Sequence, residues 1–308
     1  MKDISAIILN YNSSKFTINC IESILKQTSN RISYEIIVVD NASETTDYKA
    51  LKQAIATFNA EHITLVRSRY NTGFGGGNMY GVQFANAKHY AFINNDTILQ
   101  NDCLNIVFNF LNEHKNAAVC CPQQYNENGE VQKSFDHFLS LKRELFGRKL
   151  LESSNPKTYP KRQKVYNSPL KVQAVPGSFL VVKAEQFNAV GGFDTNIFLY
   201  YEETDLCFRI AKHSNQGDCY LVPAGKFIHF KGQSTEKSMA IKKELKISLL
   251  YVLRKNSGYW AYLTLRWWLT VKLFFKSLIK PKNIPLFVLL LKGAPISDSL
   301  KQKQIISV

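Results

Sequence analysis

The chain has 308 residues, 45% hydrophobic and 20% charged, which is enough to bury a large core and too evenly mixed for a disordered or polytopic membrane protein. Its six cysteines form no C-x-x-C pair and no zinc spacing with histidine, so they read as small buried hydrophobes in a reducing compartment. The net charge of +15 is concentrated: from Lys231 onward there are 15 Lys and Arg against three acids, which leaves only about +3 for residues 1–230.

Met1-Lys2-Asp3-Ile4 runs straight into a strand-like segment, so no signal peptide is expected and the sequons at Asn12 and Asn41 carry no weight. Short apolar runs at Ser5–Asn10, Tyr34–Asp40, Ile63–Arg67, Tyr90–Asn94 and Ala117–Cys121 read as buried strands. Helical spacing separates them, with Phe16, Cys20, Ile21 and Ile24 on one face and Leu104, Val107, Phe108 and Leu111 on another. Strands alternating with helices predict β-α-β units, an α/β fold and a mostly parallel sheet. In such sheets ligands sit at the carboxyl ends of strands. Residues 135–169, polar, basic and punctuated by proline, read as a long loop or insertion with a helical piece near Leu141–Leu151. A strand at Val172–Val182, a turn at Gly191-Gly192-Phe193-Asp194, a helix from about Glu202 to Lys212 and a strand ending near His229 follow. From Met239 the texture is helical.

Five segments carry residues with chemistry. Asp40 closes a strand, where it can accept hydrogen bonds from a base or ribose, or cap the next helix. Gly73-Phe74-Gly75-Gly76-Gly77-Asn78 opens a helix and lets backbone N–H groups approach an anion. It falls short of a dinucleotide fingerprint, because Asn78 takes the third glycine position and the run follows the third strand. That disfavours a nicotinamide-dependent oxidoreductase, and no Gly-Lys-Ser/Thr phosphate loop occurs. Asp96, after Asn94-Asn95 at a strand end, suits a hard divalent cation bridging two phosphates, or caps the helix near Asp102. Glu202, Glu203 and Asp205 crowd a helix start, which favours the helix dipole and also raises a carboxylate pKa toward that of a general base. His229 follows an apolar strand, either as a packed core residue or, with Lys231, Gly232 and Ser234, as a phosphate or metal contact.

In order, Ile8-Leu9-Asn10-Tyr11-Asn12, Val38-Val39-Asp40-Asn41-Ala42-Ser43, Asn71 to Asn78, Asn95-Asp96-Thr97, Gly177-Ser178-Phe179-Leu180-Val181, Gly191 to Asp194 and Phe198 to Cys207 resemble the family 2 inverting glycosyltransferases of GT-A fold. The likeness is greatest to the bacterial rhamnosyltransferase-like branch and runs from about Ser5 to Ser234. It implies a Rossmann-like catalytic domain over 1–235, with 135–169 as an acceptor-side insertion, and a basic helical region over 236–308. It also implies a nucleoside-diphosphate-sugar donor, bound by Asn10, Tyr11, Asp40, Asn41, Gly73, Phe74, Gly75, Asn78 and Asn95. A Mn²⁺ or Mg²⁺ ion would be held by Asp96 and His229. Asn94 stands where the family's metal motif has its first aspartate. Glu203 takes the place of the family's base, with Glu202 as the alternative. The implied donor is dTDP-rhamnose or a UDP-hexose. The acceptor would be a polyprenyl-linked glycan, in surface polysaccharide synthesis.

In the end section, Leu245, Leu249, Val252 and Leu253 share helical spacing beside Lys242, Lys243 and Lys246. Tyr259–Lys280 is apolar enough to suggest a transmembrane helix, yet Arg266, Lys272 and Lys276 would each cost about 2.5–3.5 kcal/mol at a bilayer centre. At 100° per residue these three and Lys280 fall within roughly 120° of arc, which Leu265, Leu269 and Leu273 share. With Trp260, Trp267 and Trp268 this predicts a helix peripheral to the inner face of the plasma membrane, its basic side toward anionic lipid, in a cytoplasmic protein. A helical subdomain or a homodimer interface is the alternative. Nucleic acid is not an expected partner, because the aromatics are spaced for helix packing rather than base stacking.

Overall fold

The computed structural model describes residues 1–58, 60–213, 217–230 and 238–306. Lys231, Gly232 and Ser234 lie outside the described residues. The chain opens with β1 (Lys2–Asn10), α1 (Ser14–Gln27), β2 (Tyr34–Asp40), α2 (Thr45–Thr57), β3 (Ile63–Arg67), α3 (Gly73–Val82) and β4 (Ala87–Asn94). β-branched residues are concentrated in β2 and β3, and in each strand alternate side chains go to opposite faces. Ile4, Ala6 and Ile8 of β1 pack with Ile21 and Leu104, while Ile7 packs with Val39 and Phe92 on the other side. β3, β2, β1 and β4 are parallel neighbours in that order. Their register pairs Asn10 with Asp40, Asp40 with Arg67 and Leu9 with Asn94. Polar side chains from four strands therefore end level at one edge.

The sheet continues through β5 (Thr97–Leu99), α4 (Cys103–Glu113) and β6 (Ala117–Tyr125) to β7 (Leu170–Val172), β8 (Phe179–Lys183), α7 (Ala184–Ala189), α8 (Glu202–His213) and β9 (Asp218–His229). Among the described residues it has nine strands, with β8, β6, β9 and β5 following β4 and β7 pairing with β9. β8 is antiparallel to β4 and β6. The strand expected over 172–182 is two strands, because Pro176 lacks an N–H to donate and Val175–Ser178 turns between β7 and β8. Asp102, not Asp96, stands at the N-cap of α4. All six cysteines are unpaired and buried.

Residues 135–169 hold two short helices, α5 (Leu141–Phe146) and α6 (Arg148–Ser154). The buried Arg143 and the Arg148 and Arg162 guanidiniums converge on Asp136 at 3.4, 2.8 and 3.3 Å, and Arg162 also pairs with Glu152 at 2.7 Å. A bridge between Asp136 and Ala174 fastens the segment to the main body.

The chain ends in α9 (Met239–Ser257), α10 (Tyr259–Ile279) and α11 (Ile284–Leu291). Gly258, at φ +87°, makes the corner between the first two, a backbone angle that glycine adopts without strain. These helices share a core with Leu139 and Ile197. Lys255 pairs with Asp194 at 2.7 Å and Asp205 at 3.0 Å, and Tyr251 Oη donates to Asp194 at 2.9 Å. In α10 the arc holding Arg266, Leu265 and Leu273 is the packed one: both leucines are buried, and Arg266 donates to the carbonyls of Leu290 and Leu291. No described helix is long and apolar enough to cross a membrane.

Candidate active site

A cleft of about 450 Å³ opens at the carboxyl ends of β1 and β4. Tyr11, Asn41, Gly73, Phe74 and Asn95 of the expected donor-binding group line it. Asn10, Asp40, Gly75 and Asn78 lie behind that lining. Asn10 is fully buried and donates to Asp40 at 3.0 Å, Ser43 at 3.0 Å and Asp47 at 2.8 Å, while Thr17 donates to its carbonyl at 2.7 Å. Asp40, equally buried, also meets the Arg67 guanidinium at 3.1 Å. That guanidinium lies 4.3 Å over the Tyr48 ring. These groups brace the wall. Arg67 and Tyr48 were not singled out from sequence, because only strand register and the α2 packing bring them to Asp40.

Asn41 fixes the start of α3. Its carbonyl accepts from the Thr72 amide (3.0 Å) and hydroxyl (2.9 Å), and its amide donates to Gly73 O at 3.1 Å. Gly73 sits at φ +75°, and a Cβ there would lie 2.0 Å from the Phe198 carbonyl oxygen. Further along, Gly77 and Gly81 let α3 approach Leu9 and Ile7 of β1. Asn78 donates to Phe74 O at 3.0 Å, closing the first turn. The glycine run thus serves close packing as well as cleft shape.

Asp96 follows the lining residues Asn94 and Asn95. It is buried, and its Oδ1 lies 3.0 Å from His229 Nε2. β5 and β9 pair Thr97 with His229, which sets that distance. The contact is poorly aligned for a hydrogen bond, and neither Asp96 Oδ1 nor His229 Nδ1 has a hydrogen-bond partner among the described residues. A carboxylate oxygen without a hydrogen-bond partner beside an imidazole nitrogen is a pair that could supply two ligands to one hard cation. No cluster of three or more His, Cys, Asp or Glu suited to a metal exists among the described residues.

Glu202 and Glu203 begin α8, directly after Tyr200 and Tyr201, whose φ values of +75° and +72° are rare for residues with a side chain. The turn is held by Ser248 donating to Leu199 O at 2.8 Å and by Arg143 5.9 Å over the Tyr201 ring. Glu202 is enclosed and its Oε1 has no hydrogen-bond partner among the described residues. Burial and the neighbouring Glu203 push its carboxyl well above the usual range. Glu203 keeps part of its surface open; burial raises it too, and Thr204 donates to it at 3.3 Å. Asp205 belongs to structure, paired with Arg209 at 2.7 Å and with Lys255.

Neither Asp96 nor the glutamates line the cleft directly. Asn94 and Thr97, on either side of Asn95-Asp96, and Phe74 and Glu203 border Gly177-Ser178. The Ser178 carbonyl accepts from Asn94 N at 3.0 Å and Thr97 Oγ1 at 3.5 Å, and a Cβ on Gly177 would lie 3.1 Å from Phe74 and 3.9 Å from Glu203. Gln124, whose Oε1 accepts from the Ser178 hydroxyl at 3.1 Å, is buried with no hydrogen-bond partner for its Nε2 among the described residues. Ser238, Ile241, Leu300 and Gln304 close the cleft from the C-terminal region. No sequence signal marked those four, since they reach the cleft only through the packing of α9.

Residues 5–177 match the family model described as Glycosyl transferase family 2. The low-salt glycan biosynthesis hexosyltransferase Agl10 of Haloferax volcanii is 25% identical over 232 residues, 73% of this chain and 67% of that protein. The N-acetylglucosaminyl-diphospho-decaprenol L-rhamnosyltransferase of Mycobacterium tuberculosis is 33% identical over 126 residues, 40% of each chain. The dTDP-rhamnosyl transferase RfbF of Shigella flexneri is 22% identical over 246 residues, 78% of this chain and 73% of that one. The solved structure of GalNAc-T7 with UDP, GalNAc and Mn²⁺ superposes with a TM-score of 0.59 at 15% identity, over 81% of this chain and 48% of that one. Staphylococcus aureus TarS 1–349 superposes at 0.53 and 15%, over 82% and 66%. The chain thus spans less than half of the mycobacterial enzyme and of GalNAc-T7. The fold is the GT-A fold, and the chain belongs to glycosyl transferase family 2, among relatives that include rhamnosyltransferases.

Proposed function

We propose that the protein transfers a hexose or rhamnose, with inversion, from a nucleoside diphosphate to a hydroxyl of a lipid-linked glycan. The observation that carries this reading is a cleft at the strand ends of a GT-A sheet, with Asp96 directly after its lining residues Asn94 and Asn95 and Gly177 packed between Phe74 of that lining and Glu203. Tyr11, Asn41, Gly73, Phe74 and Asn95 would line the donor site, braced by Asn10, Asp40, Gly75 and Asn78. Asp96 and His229 would hold Mn²⁺ or Mg²⁺, which when bound offsets the charge developing on the departing diphosphate.

Of two crowded acids, the enclosed one takes a proton and lets the other ionise. Glu202 is the enclosed one, so Glu203 acts as the base. Its carboxylate accepts the proton of the acceptor hydroxyl as that oxygen attacks the anomeric carbon. The bond to the diphosphate oxygen breaks on the opposite face, its electron pair leaving with the nucleoside diphosphate. One carboxylate suffices, because no covalent intermediate forms. The names of the relatives support dTDP-rhamnose or a nucleotide-linked hexose, such as a UDP-hexose, as donor and a polyprenyl-linked acceptor, and such an acceptor would place the work at the inner face of the plasma membrane. Residues 135–169, whose Asp136 and Arg143 act electrostatically on Glu203, would border the acceptor.

The test is a thermal-shift screen of nucleoside diphosphates with and without Mn²⁺, followed by hydrolysis assays on the matching sugar nucleotides. A Mn²⁺-dependent shift with dTDP or UDP, and donor turnover that Glu203→Gln abolishes without loss of nucleotide binding, is the expected result. Full turnover in that variant overturns the assignment of the base.

A further inference from the structure

The outward face of α10 is apolar. From Trp260 to Ile279 the exposed large hydrophobic side chains fill about 140° of the helix at 100° per residue. Trp260 is 80% exposed, Trp267 56%, Phe275 60% and Leu278 67%. The stripe runs the length of a 21-residue helix, about 30 Å. α11 borders one side of it, with Phe287 5.7 Å from Phe274, and adds Ile284, Val288 and Leu291, spaced i, i+4, i+7 and all exposed. Lys272, Lys276 and Lys280 follow the other border, all three exposed. Residues 259–292 contain six Lys and Arg and no acid.

We propose that this face inserts into the surface of an anionic phospholipid bilayer, with α10 and α11 lying flat and their apolar side chains below the headgroups. Three observations favour lipid over a second copy of the chain. An isologous contact would bring two sets of six cations together with no acid to offset them. The stripe is wider than the a/d seam of a helix pair, because Trp268, Phe275 and Ile279 broaden it. Exposed tryptophans with lysines on a border suit an interface where ring and ammonium meet headgroups while apolar atoms meet acyl chains. The packed side of α10 is the arc shared by Arg266 and the leucines, so contact is by apolar insertion with lysines at the rim, not by a basic face alone. The proposal gives a place to the lipid-linked acceptor of the reading above and depends on that reading for nothing else.

The experiment uses the full chain with vesicles of phosphatidylcholine alone or of equimolar phosphatidylcholine and phosphatidylglycerol, read by co-sedimentation and tryptophan emission. We expect co-sedimentation and a blue shift with the anionic vesicles, retained in part at high salt. The double variant Trp267→Glu/Phe275→Glu should lose at least about tenfold in partition, since two exposed aromatics no longer bury. Lys272→Gln/Lys276→Gln should weaken binding at low salt only. An unchanged thermal melt and unchanged Mn²⁺-dependent nucleotide binding in both variants separate loss of membrane contact from loss of fold or of the site. Wild-type protein that stays in solution with both vesicles overturns the proposal. So does binding that the glutamates leave intact, or a wild-type dimer that the glutamates dissociate, which would make the face an interface between copies.

Discussion

Two groups of polar side chains border the cleft, and they differ in where their hydrogen bonds go. On the β1–β2 side, Asn10, Asp40, Asn41 and Asn95 bond to one another or to Thr17, Ser43, Thr72 and Arg67. Behind the lining on the other side, Asp96 Oδ1, His229 Nδ1, Glu202 Oε1 and Gln124 Nε2 are buried without a hydrogen-bond partner among the described residues, Asp96 Oδ1 having only its contact with His229. A buried polar atom left alone costs about 1–3 kcal/mol, more when charged, and folding retains few of them. The first group shapes the wall. The second is the group that, in the proposed function, would meet the metal and the acceptor. The carboxylates raised by burial, Glu202 and Glu203, belong to the second side, where a general base would be expected.

That contrast can be broken by substitution. Glu203→Gln should reduce turnover about 10²–10⁴-fold while nucleotide binding is kept, read by steady-state kinetics and calorimetry. Asp96→Ala should weaken Mn²⁺-dependent nucleotide binding by about tenfold or more and leave metal-free binding unchanged; equal loss in both titrations would place Asp96 among the wall residues. Gly73→Ala belongs to the wall: a methyl 2.0 Å from Phe198 O at φ +75° should cost about 2 kcal/mol or more in urea unfolding.

The smallest effect concerns pH. Glu202 has a raised native pKa, so its contribution is complete below the ordinary carboxylate value of about 4.3 and is lost as pH rises toward the native value. Glu202→Gln should therefore raise the melting temperature by a few degrees at alkaline pH and by little near pH 4. A melting temperature that falls equally at both would mean that the glutamate is bonded and not stranded.

The parallel strands were legible because each is a continuous apolar run: β2 and β3 have the bounds read from sequence, Tyr34–Asp40 and Ile63–Arg67. β5 was not, since three residues, Thr97–Leu99, take their strand form only by pairing with Phe227–His229. Pro176 explains the division of the 172–182 run. In the site, residues singled out by local pattern divide between lining and support, and spacing does not carry that distinction. Tyr11 and Asn41, the first residues past β1 and β2, line the cleft, while Asn10 and Asp40, the last residues of those strands, are fully buried behind it. For α10 the periodicity of charge was visible, but which arc packs depends on α11 and its carbonyls at Leu290 and Leu291.

Glu244, buried in α9, accepts from the Ser299 hydroxyl and the Leu300 amide, both at 2.8 Å, and so draws the last turns of the chain back against the cleft. Leu300 and Gln304 line it as a result. A change at Glu244, far from the cleft in sequence, would therefore be felt at its rim through the release of Leu300 and Gln304.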